Sequence, residues 1–209
     1  MPLKWLRTPN IILPIAIQAL LNFAYMGGFI VVPQMLEIGL GYSASHVGWL
    51  IIARPLAFSI TAPLASFFTM RAGERKSGVI GACGVIASML ILSSLASGSS
   101  DLLVVLGRGL SGIGFGIAAP ALTALVANAV DDETVGVAGA MQQLLSQMGA
   151  VLGSTVMISI HEMTAGSTTV VRSYGLALLA GAVTASVAAV LAAKLQSTDR
   201  SGTRSEATA

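Results

Sequence analysis

Charged side chains are scarce in this chain of 209 residues. Asp, Glu, Lys and Arg make up 10% of it, whereas hydrophobic residues make up 55%. Soluble domains usually carry about 25% charged residues. The chain therefore lacks the polar surface that would cover a globule in water. This scarcity excludes an ordinary soluble domain and favours a protein that uses the lipid bilayer as its solvent.

Cysteine and clustered metal ligands are scarce as well. Cys83 is the single cysteine, which excludes a disulfide within the chain. His46 and His161 are the only histidines and stand far apart, and no nucleophile lies in a recognisable pattern with a base. A formal net charge of +2 is too small to indicate binding to nucleic acid. The sequence thus predicts no enzyme, no metal or cofactor site and no nucleic-acid partner.

The chain instead contains six long apolar runs. About 20 apolar residues are needed for a helix that crosses the bilayer. The predicted spans 1 to 6 cover residues 11–34, 44–70, 78–96, 102–126, 135–160 and 173–195. They form a transmembrane domain of residues 11–195, between an N-terminus of residues 1–10 and a tail of residues 196–209 that we predict to be disordered. We therefore predict an all-α membrane protein with six transmembrane helices.

Basic residues indicate how this domain is oriented. With six spans, both termini lie on one side of the membrane. Three basic segments fall on that side, within residues 4–7, 71–76 and 194–204, whereas Arg172 is the one basic residue of the opposite loops. The positive-inside rule then places both termini in the cytoplasm, with the domain in the cell membrane.

Span 1 carries a stripe of polar and aromatic residues. Their spacing of four, four, three and four residues places them on one helical face: Pro14, Gln18, Asn22, Tyr25 and Phe29. Such a face must meet protein or water rather than lipid. The mixture of amide, phenol and phenyl groups favours a substrate-binding cavity. In the alternative interpretation, Gln18 and Asn22 bond to neighbouring helices.

Two arginines lie inside spans, Arg54 in span 2 and Arg108 in span 4, both toward the outer surface. An arginine within the membrane indicates a substrate site, an ion path or a gate. The alternative is that both side chains snorkel to the outer interface. We assign Arg108 to substrate binding and Arg54 to gating. No Asp or Glu lies within any predicted span, so proton coupling through an acid of this chain is not expected.

Small residues predict close helix packing in spans 4 and 5. In span 4 they share one face: Gly109, Gly112, Gly116 and Pro120. In span 5 the predicted packing residues are Gln143, Gln147, Gly149 and Gly153, with Gly139 extending the face. Glycines spaced in this way let another backbone come close, and the amides are expected to bond between helices.

Four stretches of the chain also have the order and spacing of a known family. They cover residues 33–36 with 41–48, then 63–75, 108–120 and 142–153. Together they resemble the carboxy-terminal half of a major facilitator superfamily transporter, most like the fourteen-span drug:proton antiporter branch. The likeness extends over nearly all of the chain, from about residue 6 to residue 195.

One of these stretches is similar to the loop signature of the family, G-x-L-x-D-R-x-G-x-R. Arg71, Gly73 and Arg75 match it, whereas Ser66 and Met70 replace its glycine and its aspartate. The resemblance implies a gating or loop role for the three matching residues. The family uses the aspartate in a charged latch between helix ends, so Met70 puts that latch in doubt.

The resemblance implies a 3+3 inverted repeat, in which spans 1 and 4 line a central path, spans 2 and 5 face a second half, and spans 3 and 6 face lipid. It implies alternating-access transport of small, amphipathic or drug-like compounds. The second half would be another copy of the chain or a separately encoded amino-terminal half. Two alternatives stay open: a truncated gene product or fragment without independent transport, and a non-transporting membrane scaffold or sensor.

Overall fold

The computed structural model describes residues 9–195, without the side chains at positions 9, 10, 66, 68, 70 and 72. The predictions for the first eight residues and for the tail at 196–209 lie outside the described residues, as do the side chains of the motif positions 66 and 70. Within the described part the chain forms helices and turns and no strand. The helices are α1 (Pro9–Gln34, continued by a π-helical turn over Met35–Gly39), α2 (Ala44–Ile51), α3 (Ala53–Ala72), α4 (Glu74–Ser93), α5 (Asp101–Asn128), α6 (Val135–Ala165) and α7 (Val170–Ala193).

Six helical segments of residues 9–195 are long and apolar enough to cross a membrane. They are Ile11–Gly39, Ala44–Ala65, Glu74–Ser93, Asp101–Asn128, Val135–Ala165 and Val170–Ala193. The predicted all-α fold with six transmembrane helices is confirmed.

The second span differs from the prediction, because it consists of two helices rather than one. α2 ends at Ile51 and α3 begins at Ala53. Pro55 explains the break, since proline has no N–H to donate to the carbonyl of Ile51 and its ring crowds that carbonyl. The break places Arg54 in the first turn of α3.

The packing of the spans has an internal symmetry. α1 packs on α6 and α7, and α5 packs in the same way on α3 and α4. α1 also meets α5, and α4 meets α7. Exchanging the first three spans with the last three reproduces this set of contacts, as expected for half of a major facilitator bundle built as a 3+3 repeat. The two spans at the centre of this arrangement are α1 and α5.

Candidate functional site

Arg54 lies against α1, with its guanidinium group inside the bundle. The side chain is 4% exposed. Its Cζ atom lies 3.4 Å from the ring centroid of Tyr25 and 4.6 Å from that of Phe29. Its Nη2 donates to the Sδ atom of Met26 at 3.8 Å, a weak acceptor. The main partners of the cation are therefore two aromatic faces.

Arg108 approaches the same part of α1 from α5. It is 1% exposed, and its Nη1 donates to the carbonyl oxygen of Gly28 at 3.2 Å. Its Cζ atom lies 5.8 Å from the ring centroid of Phe29. Both arginines thus lie near the same aromatic ring, that of Phe29. Arg54 and Arg108 together are called the arginine pair. Because neither side chain reaches the surface of the bundle, snorkelling does not describe them.

Three aromatic rings beside the arginine pair form an aromatic cluster, namely Tyr25 of α1, Phe58 of α3 and Phe115 of α5. Tyr25 and Phe115 are stacked, with centroids 4.2 Å apart and planes inclined by 11°. The Phe58 centroid lies 6.4 Å from Tyr25 and 6.2 Å from Phe115. Phe29, next to both arginines, is 43% exposed. The site thus joins two cations, an apolar aromatic surface and one ring that reaches the outside of the bundle.

A second polar group, the amide layer, lies nearer the N-terminal end of α1. Its members are Gln18, Asn22, Thr123, Gln142 and Ser146. Asn22 Nδ2 donates to the carbonyl oxygen and the hydroxyl of Ser146, at 2.9 and 3.0 Å. Gln142 Nε2 donates to Gln18 Oε1 and, at 3.4 Å, to Thr123 Oγ1. Gln18 and Asn22 thus make the bonds of the interhelical interpretation, and a substrate contact at either one stays a prediction.

The amide layer depends on the close approach of α6 to α1. A Cβ atom at Gly149 or Gly153 would overlap the carbonyl groups of Ala19 and Phe23 in α1. The sequence analysis singled out both glycines as packing residues, and both lie at this contact. Because glycine has no side chain, α6 can come close enough to place Gln142 and Ser146 within hydrogen-bond distance of α1. Sequence reasoning did not single out these two residues.

The glycines of α5 divide between two neighbouring helices. A Cβ atom at Gly112 would overlap the Arg54 carbonyl in α3, and one at Gly116 would crowd Thr61 of the same helix. Gly109 faces open space instead, and Pro120 lies half-buried inside α5. Sequence reasoning missed the two glycines that approach α4, Gly107 and Gly114.

Gln143, Gln147 and Gly139 lie away from these contacts. The two glutamines are exposed on α6, and Gly139 has open space where a Cβ would be. Neither glutamine makes a side-chain hydrogen bond within residues 9–195, so their bonding to another helix stays a prediction. Helical geometry explains their exposure, because α6 turns Gln142 and Ser146 toward α1 and so carries the next residue outward.

The predicted loop motif forms a tight junction between α3 and α4. Gly73 has φ = 86°, a conformation that favours glycine, and its N–H donates to the Thr69 carbonyl at 2.9 Å. The Ser77 hydroxyl donates back to the Gly73 carbonyl at 3.0 Å. Arg71 and Arg75 are exposed on either side of the junction. The predicted spans left residues 71–77 for a loop between them. In the structure, Gly73 alone separates α3 from α4, and Arg71 and Arg75 lie in the helical turns on either side of it.

At the opposite end of the bundle, the loop before α2 meets the start of α5. His46 Nε2 lies 2.8 Å from Asp101 Oδ2, and the His46 ring stacks on Tyr42 with centroids 4.7 Å apart. The Tyr42 hydroxyl also points to the Ser99 carbonyl at 3.5 Å. Partial burial, then the hydrogen bond and the negative charge of Asp101, raise the pKa of Tyr42 above its usual value. This cluster connects α2 and the loop before it to the start of α5 and the loop before that helix.

Comparison of the chain with known proteins identifies its family. The family model of the Major Facilitator Superfamily matches residues 15–208. The chain belongs to the Major Facilitator Superfamily. The resemblance inferred from the four sequence stretches is thereby confirmed. The chain is accordingly a multi-pass membrane protein of a transporter family.

Two relatives from this superfamily carry the name multidrug resistance protein Stp, from the CDC 1551 / Oshkosh and ATCC 25618 / H37Rv strains of Mycobacterium tuberculosis. Each is 28% identical to the chain over 160 residues. The match covers 77% of the chain and 30% of each relative. The chain therefore spans less than a third of the length of the relatives it matches.

The site brings together charged, aromatic and neutral polar side chains. Within residues 9–195, no group of three or more His, Cys, Asp or Glu side chains is placed to hold a metal ion. The arginine pair offers N–H donors and positive charge, the aromatic cluster offers apolar area, and the amide layer offers neutral polar atoms. Groups of this kind bind and orient a small molecule.

Proposed function

We propose that the chain transports small amphipathic compounds across the cell membrane by alternating access, as one half of a Major Facilitator Superfamily transporter. The observation that carries the proposal is the arginine pair beside the aromatic cluster, where α3 meets α1 and α5, the two spans at the centre of the packing. A pocket with apolar walls and a few convergent polar groups is the usual form of a small-molecule site. Transport, rather than catalysis, is the activity such a site supports in this family.

Tyr25, Phe29 and Arg108 are the proposed substrate contacts with the most direct support, because they lie together around Arg54. Gln18 and Asn22 are proposed contacts on the same face of α1. In favour of Asn22, its Oδ1 is buried without a partner among the described residues, so it can still accept a hydrogen bond. Arg54 at the helix break, and the α3–α4 junction with Arg71, Gly73 and Arg75, are proposed to take part in gating.

The surfaces of α3 and α6 support a second half as the partner. In an apolar stretch of 18 residues from each span, 17% of the residues are buried in Ala44–Ala65, which joins α2 to α3, and 28% in α6, compared with 61% in the α1 span. α3 exposes Leu56, Ile60, Leu64 and Phe67. α6 exposes Gln143 and Gln147 among apolar residues, and amide groups are costly in lipid. We propose that another half, a copy of the chain or a separately encoded one, covers both surfaces.

A cross-linking experiment tests this partner. Gln147→Cys in a Cys83→Ser background should form a disulfide-linked dimer in membranes if a second copy covers α6. The matched control is Val187→Cys, which is exposed on α7. A cross-link at position 147 alone supports a second copy. If position 147 gives no cross-link, or if position 187 cross-links equally well, a second copy on α6 is rejected, and co-expression with an amino-terminal half becomes the arrangement to test.

The proposed orientation has both termini in the cytoplasm. In its favour, Arg71, Arg75 and Lys76 are exposed at one end of the bundle, at the α3–α4 junction. The test places a single cysteine at position 75 or, at the other end of the bundle, at position 167, and treats intact cells with a membrane-impermeant maleimide. Labelling of position 167 alone is expected, and labelling of position 75 alone would reverse the orientation.

A transport assay tests the function itself. Proteoliposomes containing the chain should accumulate at least one member of a radiolabelled panel of amphipathic cations, anions and neutral compounds. Tyr25→Leu removes an aromatic face that holds Arg54 and should reduce this uptake, whereas Leu103→Ala, on the exposed face of α5, should not. If neither Tyr25→Leu nor Asn22→Leu changes the uptake, this face of α1 does not line the substrate path. No uptake of any compound, with or without an amino-terminal half, would favour a fragment without transport or a scaffold.

A further inference from the structure

The arginine pair concentrates positive charge inside the membrane-spanning bundle. Both guanidinium groups lie near the ring of Phe29, at 4.6 and 5.8 Å from its centroid. Both side chains are almost fully buried. An isolated buried ion is strongly unfavourable unless an opposite charge and hydrogen bonds compensate it. Two like charges around one ring increase that requirement.

The hydrogen bonds that the chain provides leave the pair incompletely satisfied. A guanidinium group carries five N–H donors. Among the described residues, Arg54 Nη1 and the Nε and Nη2 atoms of Arg108 are buried without any acceptor. The acceptors that the pair does have are the Gly28 carbonyl and the sulfur of Met26, both uncharged. Three donor atoms of the pair are therefore left without an acceptor among the residues that the structure describes.

No carboxylate among residues 9–195 forms an ion pair with either arginine. Within residues 9–195, acidic side chains lie in the last turn of a helix, at the first residue of a helix or in a loop: Glu37, Glu74, Asp101, Asp131, Asp132, Glu133 and Glu162. Cation–π contacts attract a guanidinium group but do not neutralise it. The charge of the pair is thus left for a ligand to balance.

We propose that the arginine pair binds the carboxylate of a small amphipathic acid, whose apolar part lies on the aromatic cluster. Guanidinium groups match a carboxylate in shape and bind it through paired N–H···O bonds. Phe58, the half-buried ring of the cluster, and the exposed ring of Phe29 provide the accessible apolar surface, whereas Tyr25 and Phe115 are stacked on each other and buried. That this acid is also a transported substrate rests on the function proposed above, whereas its binding does not.

A binding experiment with the full chain tests the site. The chain is placed in nanodiscs of phosphatidylcholine, which has no net charge, and equilibrated with radiolabelled 1-naphthoate. Unlabelled 1-naphthoate, its neutral amide 1-naphthamide and inorganic phosphate compete for the site. We expect the acid to compete at a concentration lower than the amide by about tenfold or more, because the bonds to a carboxylate are charge-assisted. Equal competition by the amide would overturn the arginine role, and equal competition by phosphate would overturn the aromatic one.

Variants locate the binding on the pair. Arg54→Gln and Arg108→Gln should each reduce the preference for acid over amide to near unity, while Arg54→Lys should retain part of it. The matched control is Arg172→Gln, an exposed arginine at the start of α7, which should leave the preference unchanged. A preference that survives both glutamine variants would place the anion elsewhere. The competition series uses the unaltered chain, so it decides the proposal even if a glutamine variant fails to fold.

Failure of this site and failure of the transport function give different results. If proteoliposomes take up no compound but the purified chain prefers naphthoate over naphthamide, the anion site stands and the transport function falls. If the chain transports amphipathic cations and shows no preference for naphthoate, the transport function stands and the anion site is overturned.

Discussion

The amide layer and the arginine pair lie along the same helix, and they differ in how far this chain satisfies them. In the amide layer, Asn22 and Gln142 donate to α6, α1 and α5 side chains, and one acceptor atom, Asn22 Oδ1, is left without a partner. At the arginine pair, three donor atoms are left without a partner, and the groups are charged. Within the described residues, the polar groups beside α1 are thus nearly all hydrogen-bonded in the amide layer. At the arginine pair, by contrast, several donors and the positive charge are left without a partner.

This difference separates two uses of polar groups in a membrane. A neutral amide finds its complement in another amide or hydroxyl, so it can fix how two helices pack. A buried guanidinium needs an anion, which the packed helices of this chain do not offer. We therefore expect changes in the amide layer to act on stability, and changes in the arginine pair to act on ligand binding.

The largest effect on stability is expected where α6 touches α1 most closely. Gly149→Val forces side-chain atoms into the Ala19 carbonyl, and overpacking of this kind typically costs about 1–3 kcal/mol or more when the obstacle is backbone. The variant should lose its monodisperse size-exclusion peak at a lower temperature than the unaltered chain. Separation of α6 from α1 would also break the bonds of the amide layer.

Gly139→Val is the matched control, because the same change on the same helix meets open space. This variant should lose its monodisperse size-exclusion peak at nearly the same temperature as the unaltered chain. If the two levels of α1 are independent, the Gly149→Val chain that remains folded should still prefer naphthoate over naphthamide. Equal tolerance of both valines would mean that α6 does not approach α1 as closely as the structure has it.

A smaller effect is expected from the hydrogen bonds themselves. Gln142→Leu leaves Gln18 buried without its partner, and such a loss costs about 1 kcal/mol, with wide scatter among membrane proteins. Gln143→Leu, one residue along and exposed, should change little. The double variant Gln18→Leu with Gln142→Leu should recover part of the loss, because no unpaired amide remains. Thermal size-exclusion profiles of the unaltered chain, Gln18→Leu, Gln142→Leu and the double variant form a double-mutant cycle, and purely additive losses would contradict a direct bond.

The glutamines of α6 show how far the sequence predicts the site. Gly149 and Gly153 lie on the face of α6 that approaches α1. Counting back from Gly149 by three and then four residues reaches Ser146 and Gln142, which are the buried polar residues of that face. Gln143 and Gln147 stand one position away, or about 100° around the helix. Applying the helical period from the glycines would have identified the right pair.

Other features were predictable to different degrees for physical reasons. Length and hydropathy suffice for the six spans, since the bilayer sets both. The importance of Arg54 and Arg108 followed from the cost of charge in lipid. That the two share the ring of Phe29 did not follow, because it depends on how α3 and α5 cross α1. The burial of the α1 stripe against α6, rather than against water, is likewise set by tertiary packing.

The smallest effect is expected at the end of the bundle where α2 and α5 begin. There the carboxylate of Asp101 is partly exposed to solvent and already has a partner in the chain. Asp101 is half-exposed and paired with His46, in contrast to the arginine pair. Asp101→Asn removes a negative charge and an acceptor beside the Tyr42 hydroxyl, so the pKa of Tyr42 should fall, although partial burial still keeps it raised. Neutral Tyr42 contributes stability that is fully present below its unfolded pKa of about 10 and lost as pH rises through its folded pKa. Tyrosinate absorbance, read as the difference from a Tyr42→Phe chain, measures the shift, and an unchanged pKa would mean that the Asp101 carboxylate does not act on Tyr42.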